Sequence, residues 1–104
     1  MLASSATTGA AEDLLAAFRA AGRGLIIGEP TGGSPGDIAS FALPKSWAVQ
    51  FCVTRHEAPD GTGFAGVGVR PHLVMIRTVN DLLGGNEPAL QKAREYLKGG
   101  LPPP

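Results

Sequence analysis

The spacing of apolar residues along the chain predicts two helices. Over residues 10–21 they recur every three or four positions, with Glu12 and Asp13 in the first turn and glycines after the last. The predicted apolar stripe comprises Ala11, Leu14, Leu15, Phe18 and Ala21. Residues 89–98 form the second predicted helix, which begins behind an Asn-Glu-Pro signal and ends at a Gly-Gly pair.

Shorter apolar runs predict strands. Residues 1–3 and 25–28 flank the first helix, which predicts a parallel βαβ unit. Residues 38–43 and 47–54 predict an antiparallel hairpin, and residues 72–76 a further short strand. The predicted fold class is therefore α/β, a (β)αβ unit followed by a β-hairpin, a further strand and a C-terminal helix. We expect one domain over residues 1–98, with a flexible Gly/Pro tail over 99–104.

The second hairpin strand alternates cleanly, with Trp47, Val49, Phe51 and Val53 on one face. The stripe of the first helix is the nearest apolar surface that could cover this face. We therefore expect Trp47 in the core, where truncation to alanine would cost roughly 3 to 5 kcal/mol.

Composition narrows the function classes. Nine basic and nine acidic residues leave no net charge, which gives no support to nucleic-acid or membrane binding. The first residues do not resemble a signal peptide, so a cytoplasmic location is expected unless the chain is a fragment of an exported protein. With Cys52 as the single cysteine and only two histidines, neither a metal site nor a cofactor is expected.

Three segments carry candidate chemistry. Residues 7–13 lead into the start of the first helix, where unpaired N–H groups favour a negative charge or a developing oxyanion. We expect Gly9 to be the N-cap of this helix, with Glu12 in the capping-box position reaching back to it. Residues 28–36 form a glycine-rich loop after a buried strand, without the lysine of a phosphate-binding loop. Residues 60–72 are the third segment, which leads from a long loop over residues 55–70 into the last strand. In that loop we expect His56 and Glu57 to be solvated.

Five short elements in order give these segments a family resemblance that extends over residues 1–97. They are Gly9-Ala10-Ala11-Glu12, Gly28-Glu29-Pro30-Thr31-Gly32-Gly33, Leu43-Pro44, Asp60-Gly61 and Gly68-Val69-Arg70-Pro71-His72. In this arrangement the chain resembles the carboxyl-terminal processing, or tail-specific, protease family of serine peptidases. The resemblance implies part of a ClpP/crotonase-like core, the C-terminal half of the catalytic domain.

The resemblance also identifies positions where the catalytic residues are replaced. Gly9 stands where the family has its nucleophilic serine, and Ser34 where many members have the general-base lysine. In branches that rely instead on a histidine and a glutamate, Ala65 and Gly66 stand at the glutamate position, and the histidine would lie upstream of this sequence. The resemblance leaves the backbone of Gly9, Ala10 and Gly33 as candidate oxyanion or peptide-binding groups, and no catalytic side chain.

Three functions remain open at this stage. The first is a tail-specific protease-like domain fragment without peptidase activity, and we favour it. The second is a peptide-binding or self-assembly module that uses open sheet edges. The third is a hydrolase that uses Ser34 or Thr8 and is completed by a second polypeptide. We also expect a homo-oligomer, because the apolar run 25–27 would otherwise form an unpaired sheet edge.

Overall fold

The computed structural model describes residues 1–34 and 36–100, so Pro35 of the glycine-rich loop and residues 101–104 of the predicted tail lie outside the described part. The structure belongs to the α/β class, as predicted. Its elements in chain order are β1 (Leu2–Ala3), α1 (Ala10–Ala20), β2 (Ile27–Gly28), β3 (Ile38–Leu43), a short 3-10 turn (Pro44–Ser46), β4 (Trp47–Cys52), β5 (Leu73–Val74), α2 (Val79–Gly84) and α3 (Pro88–Gly99).

The three shortest strands form one parallel sheet in the order β1-β2-β5. Leu2 pairs with Ile27, and Ile27 pairs on its other side with Leu73. β1, α1 and β2 therefore form the predicted βαβ unit. The expectation that residues 25–27 form an open edge is wrong, because β2 lies in the middle of the sheet and Ile26 and Ile27 are buried.

The core lies between α1, the parallel sheet and the loop that precedes β5. Its buried residues are Ala3, Leu15, Ala16, Ile26, Phe64 and Val69. The predicted helical stripe is only partly correct, because Leu14 is 59% exposed whereas Glu12 is fully buried. The buried residues of α1 are at positions 12, 15 and 16, which have the spacing of one helical face. This buried face therefore includes an acidic residue, Glu12.

The helix α2, which has only six residues, was not predicted from the sequence. Thr78 caps it, accepting a hydrogen bond from the Asp81 amide while the Asp81 carboxylate accepts from the Thr78 amide. Gly85 ends it in the left-handed conformation, with a φ of 69°. The spacing of Thr78, Asp81 and Gly85 is therefore typical of a short capped helix.

No helix in the described part of the chain is long and apolar enough to cross a membrane.

The hairpin has its predicted strands, although β4 ends at Cys52 instead of at residue 54. Its predicted burial is wrong. Trp47 is 71% exposed and Phe51 is 50% exposed, because the hairpin extends away from α1 in a molecule that measures 57 × 37 × 17 Å. Within this chain Trp47 is therefore not a core residue, and its truncation removes no core packing.

The partly buried imidazole of His72 predicts that stability falls with acidification. Burial, the nearby Arg19 and the N-terminal amine hold the His72 pKa below its usual value. Its Nδ1 accepts a hydrogen bond from the Ile26 amide at 3.0 Å, a role that requires the unprotonated nitrogen. Because the folded state binds this proton less well than the unfolded state, the stabilisation is complete above about pH 6.5 and is lost as the pH falls through the folded pKa.

We expect His72→Asn, which keeps an acceptor at the same place, to flatten this dependence. Urea unfolding at pH 7.5 and 5.5 measures it. An equal loss of stability in both proteins between these two pH values would contradict the role of His72.

Candidate functional site

The turn before α1 places Gly9 at the helix N-cap. Its backbone has a φ of 66° and a ψ of −136°, a conformation that residues with a side chain adopt only with strain. Its amide lies 3.2 Å from the Ser34 carbonyl oxygen and 3.2 Å from Glu12 Oε2. A Cβ built at position 9 would meet no atom within 4 Å. The space for a side chain is open, and glycine leaves it empty.

The buried carboxylate of Glu12 connects this turn to the glycine-rich loop. Oε1 accepts hydrogen bonds from the Thr31 hydroxyl at 2.5 Å and the Gly33 amide at 2.7 Å. Oε2 accepts from the Ser34 amide at 2.8 Å, in addition to the Gly9 amide. The predicted capping contact between Glu12 and Gly9 is confirmed, and the carboxylate also fixes three groups of the loop. We call these five residues, Gly9, Glu12, Thr31, Gly33 and Ser34, the Glu12 clamp.

The third predicted segment lies against the same loop. Two hydrogen bonds join Thr31 to Val69. The Thr31 amide donates to the Val69 carbonyl at 3.2 Å, and the Val69 amide donates to the Thr31 hydroxyl at 2.7 Å. The Gly66 amide donates to the Gly33 carbonyl at 2.7 Å. The structure thus brings all three chemistry-bearing segments together.

The backbone groups predicted to bind an oxyanion or peptide differ in availability. The amides of Gly9 and Gly33 both donate within the Glu12 clamp. Among the described residues the Ala10 amide has no acceptor, and it lies at the start of α1, where the helix leaves N–H groups unpaired. Ala10 is the predicted donor that remains open to a ligand.

Ser34 is exposed, and the two acidic residues nearest to it in the sequence, Glu29 and Asp37, contact other groups. Glu29 accepts from the amides of Ser5 and Arg77, each at 3.2 Å, and these hydrogen bonds hold the Glu29 pKa below its usual value. The Asp37 side chain lies 3.4 Å from the Thr54 hydroxyl. Within residues 1–34 and 36–100, no basic side chain is within hydrogen-bond distance of the Ser34 hydroxyl. Among the described residues, Ser34 therefore has no hydrogen-bonded group that could activate it.

One polar cluster was missed. His56, expected to be solvated, is partly buried, and its Nδ1 lies 2.8 Å from Asp13 Oδ1. Its Nε2 lies 3.2 Å from the Thr54 hydroxyl, which also accepts from the Asp37 amide at 2.8 Å. The cluster ties the long loop to α1 and to the base of the hairpin. Asp13 and His56 are 43 positions apart, so no local pattern indicated this contact.

An apolar cavity lies away from position 9. It has a volume of about 590 Å³, and its lining includes Ala16, Arg19, Phe64, Val69 and Arg70. Neither Gly9 nor Ser34 lines it. In the described part of the chain no three His, Cys, Asp or Glu side chains are grouped closely enough to hold a metal ion.

Comparisons with known proteins connect this arrangement to proteases. A sequence model of peptidase family S41 matches residues 1–75. The solved structure of a photosystem II D1 C-terminal processing protease is 31% identical over 72% of this chain, with a TM-score of 0.59. Mature CPAF and the tricorn protease, each 21% identical, share the fold over 93% and 92% of this chain, with TM-scores of 0.70 and 0.76. The chain spans 19%, 18% and 10% of the lengths of these three proteins, respectively.

Proposed function

Because the chain belongs to peptidase family S41, we propose that it is a protease-family domain that has no peptidase activity of its own. Position 9 supports this proposal most directly. It stands at the N-terminus of α1, beside the open Ala10 amide, and glycine there has no atom that can attack a carbonyl carbon.

The remaining parts of a catalytic set also argue against activity in this chain. A serine peptidase needs a nucleophile, a base within hydrogen-bond distance of it and donors for the oxyanion. The Ala10 amide is one donor for the oxyanion. The base position is occupied by Ser34, whose side chain is neutral and cannot replace a lysine. The Glu12 clamp holds this turn and loop together without a serine at position 9 or a lysine at position 34. The local fold therefore does not depend on catalytic side chains at these positions.

A second candidate is a hydrolase completed by another polypeptide, because the matched part of the chain covers only 18% of mature CPAF and 19% of the D1 processing protease. In that case Ser34 or Thr8 would serve as nucleophile once the partner supplies a base. The substrate would then be determined largely by the partner.

Turnover measurements test the proposal. We expect the purified chain to cleave an unstructured protein such as reduced casein no faster than buffer does. We expect Gly9→Ser alone to remain inactive, because no base accompanies the new hydroxyl; circular dichroism would check that the variant is folded. Cleavage by the unmodified chain that disappears in Ser34→Ala would overturn the proposal.

A further inference from the structure

One face of the hairpin is a continuous apolar surface. In an antiparallel pair, residues opposite one another share a face. The register pairs Leu43 with Trp47, Phe41 with Val49 and Ala39 with Phe51. We call these six residues the hairpin face: Ala39, Phe41, Leu43, Trp47, Val49 and Phe51. The rings of Phe41 and Phe51 stack at 5.2 Å within it.

The hairpin face is open to solvent. Its five large side chains are between 44% and 71% exposed, the extremes being Val49 and Trp47. None of its six residues carries a charge, and Val53, which is 54% exposed, extends the apolar row beyond β4. Monomeric proteins rarely expose an apolar surface of this size unless it is an interaction site.

The opposite face has a different character. It carries Ile38, Ser40, Ala42, Ala48, Gln50 and Cys52, so small and polar side chains predominate. The contrast between the two faces is the pattern of a sheet that is covered on one side. Neither α1 nor the parallel sheet supplies that cover in this chain.

We propose that the hairpin face packs against the same face of a second copy of this chain, around a two-fold axis. Two sheets packed face to face lie about 10 Å apart, with their apolar side chains interleaved. This proposal keeps the expected homo-oligomer but moves its interface from a sheet edge to the hairpin. It holds whether or not the chain has peptidase activity.

The available area suits such a dimer. Five large side chains exposed to this degree present on the order of 600 Å² per copy, given the areas of aromatic residues. Two copies would bury about 1,200 Å², which reaches the lower limit of stable, specific interfaces. A surface that matches only itself also favours a two-fold arrangement, since the same residues serve on both sides.

Charges at the two ends of the hairpin fit an antiparallel arrangement of the copies. Lys45 lies at the tip and has no ion-pair partner in the part of the chain that the structure describes. Asp37 is exposed at the base, next to β3. If the hairpins cross antiparallel, each tip lies near the base of the other copy, which brings opposite charges together. A parallel arrangement would place the two lysines side by side.

Adjacent residues on opposite faces provide a matched test. Sedimentation equilibrium at tens of micromolar is expected to give twice the chain mass of 10.6 kDa for the unmodified chain. Val49→Lys places a charge on the hairpin face and should weaken association at least about 100-fold. Gln50→Lys places the same charge on the opposite face and should leave the dimer intact. Circular dichroism and thermal unfolding verify that both variants fold.

Cross-linking locates the interface independently of a lysine substitution. In a Cys52→Ser background, a bismaleimide linker that spans the sheet separation of about 10 Å should join two Val49→Cys chains into a covalent dimer, and the yield with Gln50→Cys should be at least about tenfold lower. A single species of 10.6 kDa would overturn the proposal, as would a dimer that tolerates Val49→Lys. An unmodified chain that stays monomeric alone but captures an extended peptide through β3 or β4 would instead identify a peptide-binding edge.

Discussion

Replacing Glu12 by glutamine is expected to lower the free energy of unfolding by about 3 kcal/mol. The carboxylate is fully buried and accepts four hydrogen bonds, two at each oxygen. Glutamine supplies one acceptor oxygen and turns an NH₂ group toward N–H donors. The two donors at the replaced oxygen, which are buried or partly buried, then lose this acceptor, at a cost of about 1 to 3 kcal/mol for each donor that has no other acceptor. Small domains have a total stability of about 5 to 15 kcal/mol, so the loss is a large share of it.

Urea unfolding followed by circular dichroism measures this effect. Glu95→Gln is the matched control, because Glu95 is exposed and, among the described residues, pairs only with Lys92 on the surface of α3. We expect the control to change stability by no more than about 0.5 kcal/mol. Equal stabilities of the Glu12 and Glu95 variants would show that the Glu12 clamp does not hold the turn and loop together.

Gly28→Ala is expected to destabilise the chain by about 4 kcal/mol, which is most of the stability of a small domain at the lower end of the usual range. Gly28 has a φ of 136°, and a Cβ there would lie 1.9 Å from the Ala3 carbonyl oxygen. The clash involves backbone atoms of β1, which cannot move without separating β1 from β2. Overpacking and a strained backbone each cost about 1 to 3 kcal/mol.

Gly61→Ala separates the clash from the strain. Gly61 has a φ of 83°, but a Cβ there would meet nothing within 4 Å. We expect this control to lose about 1 kcal/mol from backbone strain alone. Thermal unfolding of both variants measures the difference, and a Gly28→Ala protein as stable as Gly61→Ala would contradict the close approach of β1 and β2.

The sequence predicted the elements whose signals are local. Periodicity identified α1 and α3, turn residues separated β3 from β4, and a β-branched run identified β2. α2 was missed although Thr78, Asp81 and Gly85 signalled it, because six residues give too little periodicity to stand out.

Burial could not be predicted in the same way. Alternation in β4 identified the apolar face correctly, but no pattern within a strand tells what covers that face, and Trp47 is exposed here. Glu12 shows the converse: its position in a capping box predicted the contact to Gly9, whereas its bonds to Thr31, Gly33 and Ser34 depend on a loop about twenty positions away. Asp13 and His56 likewise meet only through the tertiary fold.

Labelling with a fluorophosphonate that reacts with activated serine and threonine hydroxyls tests the central claim most directly. Intact mass spectrometry of the treated chain should show the unmodified mass, because Gly9 offers no hydroxyl and Ser34 has no base beside it in the described structure. A known serine hydrolase treated in parallel verifies the reagent. A stoichiometric adduct that peptide mapping locates at Ser34 or Thr8 would contradict the account, since it would show an activated nucleophile in this chain.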